Sequence, residues 1–298
     1  MDRSIQPVVQ EGFAPGTRTV VCSPHFDDAV LNCWSVLDRD KSCAVVNVFT
    51  AAPGDGFISW YDQQNGATSS ADHMHQRSLE DSNALSVAGK AAINLGMLEV
   101  QYRLRQSALL HTVFRRVPPL RFVMLRLPFL QPSLYSIPAP DVEQLANTIA
   151  QAVPGASSFC VPAGIGGHRD HLLVRQAGVV LASRGMRVRL YADLPYSVIY
   201  GWPGWIGDPN GERKNDRASA FWTRHLDALR LQVGDPIRQA QVISLTPNER
   251  ARKEVAVRRH ASQIGSLNAG RMRGRLDENS TFAYEVCWEL QSKALMVK

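Results

Sequence analysis

The chain has 298 residues, of which 45% are hydrophobic, and it carries a formal net charge of +6. This length and composition predict a core large enough for one α/β domain or two, and they exclude a chain that is disordered throughout. The basic residues are dispersed and lack a nucleic-acid-binding motif, so we predict a solvated surface and no nucleic-acid partner. No apolar run approaches the about 18 residues of a membrane span. Residues 1–16 lack a signal-peptide core, and we therefore expect a cytoplasmic protein.

The cysteines are odd in number, show no CxxC spacing and lie mostly in apolar stretches. They are Cys22, Cys33, Cys43, Cys160 and Cys287. This usage predicts reduced thiols in the core rather than a disulfide framework or a zinc knot.

Strand-like and helix-like patterns alternate along the chain. Runs of β-branched residues predict strands at 17–24, 43–50, 157–164 and 186–196. Helical spacing predicts helices at 27–37, 73–88, 141–153, 171–183 and 247–263. Because strands that alternate with helices imply right-handed crossovers, we expect a Rossmann-like, doubly wound α/β fold with a mostly parallel sheet and helices on both faces.

We interpret residues 1–298 as a single domain with several less regular segments. These segments are an N-terminal extension at 1–17, an irregular excursion at 101–140, a long ordered loop at 200–222 near the site, and a C-terminal extension at 268–298.

The stretch VVCSPHFDDAVLNCW at 20–34 carries the first candidate site. An apolar strand runs into His25, Asp27 and Asp28, and a helical pattern follows. Adjacent like charges repel unless a cation, a partner or a proton relieves them. Ligands of open α/β sheets bind at the carboxyl ends of the strands, which is where these three residues lie.

A second polar cluster occupies the same topological position. The predicted strand SSFCVPAG leads into GIGGHRDHLLV, which contains His168, Asp170 and His171. The two clusters are therefore expected to face each other. Imidazoles and carboxylates that converge on one crevice have the composition of a zinc-type metal site with an open position for water.

We assign His25, Asp28 and His171 as ligands and Asp27, beside the bound water, as the general base. In the simpler alternative, Asp27 only caps the following helix.

The residues also resemble a known family. SPHFDDAVLNC resembles the (S/A)PHxDDxxLxxG signature of the PIG-L or LmbE-like zinc-dependent N-deacetylases, and GGHRDHLLVRQA resembles their second HxDH motif. Weaker similarities in RSLEDSNALSVAG, LGMLEVQYR, LYADLPY and KEVAVRRHASQI extend the resemblance over most of residues 18–267. Phe26, Ala29 and Glu99 depart from the family pattern, but none of them replaces a proposed ligand.

The resemblance implies a zinc ion held by His25, Asp28 and His171. It implies Asp27 as the base and Asp170 as a residue that orients an imidazole. His168 would either stabilise the oxyanion or protonate the leaving amine.

Substrate contacts are predicted at four residues: Arg77, Trp34, Trp202 and Trp205. The resemblance puts Arg77 near a substrate sugar or phosphate, whereas a structural arginine would pair with Glu80 or Asp81. The tryptophans would form a stacking wall for a sugar or, alternatively, simply pack within the core.

The expected function is a metal-dependent hydrolase that removes an N-acetyl or related acyl group from an amino-sugar or natural-product intermediate. The partner would be this small N-acylated molecule, and a homo-oligomer is left open. One alternative is a non-haem Fe(II) oxygenase that uses His25, Asp27 and His171. Another is a sugar-binding relative without turnover.

Overall fold

The structure, a computed structural model, describes residues 19–54, 56–103, 139–206, 217–227, 239–269, 275–278 and 280–290. The predicted extension at 1–17 and most of the predicted excursion at 101–140 lie outside these residues.

Seven strands form one sheet. They are β1 (Thr19–Ser23), β2 (Ala44–Asn47), β3 (Ala92–Asn94), β4 (Ser158–Pro162), β5 (Arg187–Tyr191), β6 (Gln241–Ser244) and β7 (Tyr284–Glu289). Their spatial order is β3-β2-β1-β4-β5-β7-β6. β1 to β5 pair in parallel, and β7 runs antiparallel to both β5 and β6. The strand order reverses between β1 and β4, and such a switch point opens a crevice at the carboxyl ends of the strands.

Ten α-helices accompany these strands within the described ranges. They are α1 (Asp28–Asn32), α2 (Trp34–Arg39), α3 (Trp60–Gln64), α4 (Ser70–Ser86), α5 (Val100–Arg103), α6 (Val142–Ala152), α7 (Arg169–Ser183), α8 (Arg217–Leu226), α9 (Pro247–Arg258) and α10 (Ala261–Asn268). None of them is long and apolar enough to cross a membrane.

The central strands are covered by helices on both faces. Val20 packs in a core cluster with residues of α6 and α7. Its neighbour Val21 packs in a second cluster with residues of α1, α4 and α9. The strand pairing confirms the predicted mostly parallel sheet, and the alternation of Val20 and Val21 shows that helices cover both of its faces. All five cysteines are buried and unpaired, as predicted.

Three expectations need correction. The predicted C-terminal extension contains β7, which is inserted in the sheet between β5 and β6. Of the predicted loop at 200–222, residues 207–216 lie outside the described residues, and residues 217–222 form the first part of α8. The helix predicted at 247–263 is two helices, because the backbone leaves the helical region at His260 (φ −82°, ψ 50°).

A buried ion pair ties β7 to the helices of one face. Glu285 accepts hydrogen bonds from the backbone nitrogens of Trp34 (2.7 Å) and Ser35 (3.0 Å) at the start of α2. The ammonium group of Lys253, on α9, lies 2.7 Å from the same carboxylate. Lys253 is completely buried and Glu285 nearly so, so neither charge has water as an alternative partner.

We expect Glu285→Ala to lower the free energy of unfolding by about 3–5 kcal/mol, because it leaves the buried Lys253 ammonium without its partner. Glu289→Ala, on the same strand, is the matched control. It breaks a pair with Arg189 whose side chains are 56% and 39% exposed, and it should cost less than about 1 kcal/mol. Urea unfolding gives the free energy of unfolding of both variants, and an equal decrease in the two would contradict the expectation.

Candidate metal centre

The loop between β1 and α1 is shaped by hydrogen bonds to side chains. The Ser23 hydroxyl accepts from the backbone nitrogen of Ala29 (2.9 Å) and donates to the carbonyl of His25 (2.5 Å). Asp28 Oδ2 accepts from the backbone nitrogen of His25 (2.9 Å). These bonds fold the loop back on itself and bring the Asp28 carboxylate beside the His25 ring.

The loop between β4 and α7 depends on glycine. Gly164, Gly166 and Gly167 all have positive φ angles, which residues with a Cβ rarely adopt. A Cβ on Gly166 would also approach the Tyr196 side chain to 2.8 Å. The glycines thus let the loop turn tightly and place His168 at the start of α7.

The three predicted ligands lie together. Asp28 Oδ2 is 3.3 Å from His25 Nδ1 and 3.3 Å from His171 Nε2. The His168 ring lies 4.8 Å from the His25 ring and 5.1 Å from the His171 ring, centroid to centroid. Asp27 offers an oxygen to the same cluster, within 4.8 Å of donor atoms of His25 and Asp28. His25, His168 and His171 also each offer a ring nitrogen within 4.8 Å of the others, so His168 is close enough to be a further metal ligand.

Buried carboxylates hold the far sides of two imidazoles. His25 Nε2 is 3.2 Å from Asp170 Oδ2, and His171 Nδ1 is 2.6 Å from Asp193 Oδ1. Asp170 also pairs with Arg103 and is fully buried, as is Asp193. With those nitrogens engaged, His25 Nδ1 and His171 Nε2 remain for a metal ion.

Sequence reasoning placed Asp170 beside an imidazole but singled out neither Asp193 nor Arg103. A signal for Asp193 was present, because its carboxylate follows β5 as Asp27 and Asp28 follow β1. Arg103 gave a weaker signal, since nothing in its short helix indicates which carboxylate it pairs with.

The two adjacent carboxylates differ in their ionisation. Burial raises the pKa of Asp27 to about 6, and the neighbouring Asp28 charge adds to the rise while Arg77 and His25 oppose it. Burial also acts to raise the pKa of Asp28, but the charges and hydrogen bonds of His171 and His25 outweigh it and hold that pKa well below its usual range. Asp28 is therefore the fixed anion of the pair.

The imidazoles of His171 and His168 also differ in pKa. Burial acts to lower the pKa of His171, but Asp28 and Asp193 outweigh it and raise that pKa to about 9. Burial lowers the pKa of His168 to about 3, and the charge of His25 adds to the fall. Among the residues described, His168 Nδ1 is buried without a hydrogen-bond partner.

This donor set fits a divalent metal ion. It offers imidazole nitrogens and carboxylate oxygens, the ligands that zinc takes at catalytic sites, where three protein ligands leave one position open. Asp28 lies close to two imidazoles, and one nitrogen of His168 has no partner among the residues described. Both features are typical of a site that binds a metal ion or a polar ligand.

Arg77 lies near this site but is not paired as the structural alternative predicted. It donates from Nη1 to Glu99 Oε1 (2.6 Å) and from Nε to Gln263 Oε1 (2.9 Å). Glu80 instead accepts a hydrogen bond from the backbone nitrogen of Ser262, and Asp81 accepts one from the Asn47 amide (2.7 Å). Only 5% of Arg77 is exposed.

The tryptophans pack mainly with each other and with the core. Trp34 is completely buried in the second core cluster, so the structure leaves it no surface for the predicted substrate contact. Trp202 and Trp205 are half-buried, with ring centroids 6.1 Å and 5.5 Å from the buried Trp222. A stacking role for Trp202 and Trp205 stays a prediction.

Several known proteins that the chain resembles are deacetylases. No family model matches the chain. The chain is similar to 2'-N-acetylparomamine deacetylase from Niallia circulans, with 27% identity over 245 residues that cover 74% of this chain and 77% of that protein. Among solved structures it resembles the zinc-inhibited form of teicoplanin deacetylase Orf2, with a TM-score of 0.62, 20% identity and coverage of 92% of this chain and 98% of that one. It also resembles A40926 pseudoaglycone deacetylase Dbv21, with a TM-score of 0.57, 20% identity and coverage of 93% and 98%. These structural likenesses show a shared fold.

We expect Asp193→Asn to weaken metal binding by about 10–100-fold. An amide has one acceptor oxygen, whereas Asp193 accepts from both His171 Nδ1 and the backbone nitrogen of Ile165 (2.8 Å). Chelator competition measures the affinity. Asp141→Asn is the control, because Asp141 caps α6 far along the chain from the site and asparagine caps equally well. Unchanged metal affinity in folded Asp193→Asn would contradict the expectation.

Proposed function

We propose that the chain is a metal-dependent N-deacetylase that removes an N-acetyl or related acyl group from an amino-sugar or natural-product intermediate. The observation that carries this is the convergence of His25, Asp28 and His171, with Asp27 beside them, in the crevice at the strand ends. The motifs and the fold support a PIG-L or LmbE-like enzyme with a Rossmann-like sheet. The names of the relatives, 2'-N-acetylparomamine deacetylase and teicoplanin deacetylase, support an N-acylated biosynthetic intermediate as substrate.

His25, Asp28 and His171 are the proposed ligands. Ligating imidazoles almost always have their second nitrogen bound to a carboxylate, carbonyl or water. His25 and His171 have such carboxylates in Asp170 and Asp193, which favours them over His168. A zinc ion held there would supply Lewis acidity that polarises the amide carbonyl and lowers the pKa of water toward about 7.

Asp27 is the proposed general base. It stands at the N-cap of α1, yet its side chain makes no capping hydrogen bond, which argues against the capping alternative. Its pKa of about 6 leaves the carboxylate ionised at neutral pH but close to the working range of an acid–base catalyst. Asp27 takes a proton from the attacking water and returns it to the amide nitrogen as the C–N bond breaks. The acyl group leaves as carboxylate, and a free amine remains.

His168 is the proposed stabiliser of the developing oxyanion. With a pKa of about 3 it is neutral at pH 7 and carries one N–H for donation. A group with so low a pKa holds no second proton to give, so Asp27 rather than His168 protonates the leaving amine.

The substrate side is proposed to include Arg77. Its guanidinium pairs with Glu99, so the pair is neutral overall and suits hydroxyl-bearing sugar groups as well as an amide oxygen. A single domain and a cytoplasmic location stay predictions, and a homo-oligomer stays open.

The proposed function is tested by amine release. Purified protein is incubated with a panel of N-acetylated amino sugars and N-acyl glycopeptide precursors, and free amine is measured before chelation, after chelation and after zinc is returned. We expect release that is lost with the metal and restored by zinc. Amine release that chelation leaves unchanged would contradict metal dependence.

The same assay separates the alternatives. An oxygenase would consume 2-oxoglutarate with iron and release no amine, and a binding relative would hold sugars without turnover. The mostly parallel sheet and the contacts of Asp28, rather than Asp27, with both imidazoles disfavour the oxygenase set.

Asp27→Asn should keep the fold and the metal but lower turnover by about 10²–10⁴-fold, the usual contribution of a positioned base. Because the base must be ionised, wild-type kcat/KM should fall as the pH drops through the pKa of Asp27, and the variant should lose this acidic limb. Metal content and a pH series of amine release measure both effects. A variant that binds metal and turns over at the wild-type rate would refute the proposed role.

A further inference from the structure

A buried hydrogen-bond chain links Arg77 to the start of α10. Arg77 Nε donates to Gln263 Oε1 (2.9 Å), and Arg77 Nη1 donates to Glu99 Oε1 (2.6 Å). Gln101 Nε2 donates to the second oxygen of Glu99 (2.7 Å). All four side chains are at most 7% exposed. The guanidinium is thus held on two edges, by a carboxylate and by an amide oxygen.

His260 orients the Gln263 amide. Its Nδ1 is 3.5 Å from Gln263 Nε2, and the imidazole is completely buried. Burial lowers the pKa of His260 to about 3, and the charge of Arg77 adds to the fall, so the ring is neutral at pH 7. A neutral Nδ1 that accepts from the amide NH₂ turns the amide oxygen toward Arg77.

The packing of α10 has other attachments. Ser262 donates from its backbone nitrogen (3.1 Å) and its hydroxyl (2.8 Å) to Glu80 on α4. Ser266 lies 2.7 Å from the hydroxyl of Tyr61 on α3. Gln263 is therefore not the sole polar attachment of this helix, and α10 would keep these other bonds if the Gln263–Arg77 bond were lost.

We propose that Gln263 is a positioning residue that holds the Arg77 guanidinium in the orientation in which it contacts the substrate. The proposal rests on the proposed function, because Arg77 is the substrate contact through which Gln263 acts. A long side chain held on one edge only keeps rotational freedom that it must lose on binding. Loss of the Gln263 bond should therefore weaken substrate binding more than it slows the chemical step.

Gln263→Met tests this, because methionine keeps the length and apolar packing but lacks the amide oxygen. We expect KM to rise by about tenfold or more, as for loss of a hydrogen bond to a charged group, with kcat changed by less than about threefold. Gln263→Glu restores an acceptor for Arg77 Nε and should recover most of the loss. Ser262→Ala, on the same helical turn, removes a bond to Glu80 and should leave KM unchanged. A fall in kcat with KM unchanged in Gln263→Met would overturn the proposal.

A double-mutant cycle separates action through Arg77 from direct action. In an Arg77→Met background, Gln263→Met should raise KM by less than about twofold, because the residue through which it acts is already gone. Effects on KM that multiply in the double variant would overturn the proposal.

Nitrogen-15 NMR gives a readout that needs no turnover. The Nε–H resonance of Arg77, assigned by its loss in Arg77→Met, should exchange slowly in the wild type and in Ser262→Ala, and should exchange rapidly in Gln263→Met. Slow exchange in Gln263→Met would overturn the positioning role even in an active enzyme. A wild type that shows the expected exchange but releases no amine from any substrate would instead refute the proposed function.

Discussion

Two buried carboxylate–imidazole pairs, Asp170 with His25 and Asp193 with His171, set the geometry of the carboxyl edge of the sheet. A buried carboxylate is strongly unfavourable unless it is paired and hydrogen-bonded. Each acid is therefore kept among its partners, which include Arg103 for Asp170 and the backbone nitrogen of Ile165 for Asp193. Each paired imidazole then has a fixed ring orientation. Those pairs fix the relative positions of three elements: the β1–α1 loop, the first turn of α7 and the end of β5.

The part of the site that lies close together in sequence could be predicted. His25, Asp27 and Asp28 follow one strand, and the cluster from His168 to His171 follows another. The rule that parallel strands end at one edge is enough to bring the two clusters together. The same rule could have placed Asp193, which follows β5, at this edge, but it does not show that Asp193 pairs with His171. Gln263 depends on a contact with Arg77 across many residues of chain, and a single sequence shows no such pairing. Arg77 was recognisable, but Glu99 as its partner was not, because helical spacing pointed to Glu80 and Asp81 instead.

The fold divides along similar lines. β1, β2 and β4 are buried along nearly their whole length and read as nearly continuous apolar runs, so their composition revealed them. β5 instead alternates, with Arg187 exposed, Arg189 half-buried, and Val188 and Leu190 buried. β3 has three residues and β6 has two exposed ends, and such short strands carry little signal. β7 contains two glutamates, and one of them, Glu285, is buried only because Lys253 and the start of α2 supply its partners. That tertiary contact overrides the polar local pattern.

The adjacent carboxylates of the β1–α1 loop answer a question that the sequence raises. Two neighbouring acids in a buried loop cannot share the same role, since each charge raises the pKa of the other. The imidazoles of His25 and His171 both contact Asp28, and they keep it ionised. Asp27 has no such contact with His171 and makes no capping bond, so burial and the Asp28 charge act on it with less compensation and raise its pKa to about 6. The asymmetry of the contacts, rather than any difference between the two side chains, therefore separates a permanent anion from a carboxylate whose pKa lies closer to neutral pH. The proposed role of Asp27 as general base needs a group of the second kind.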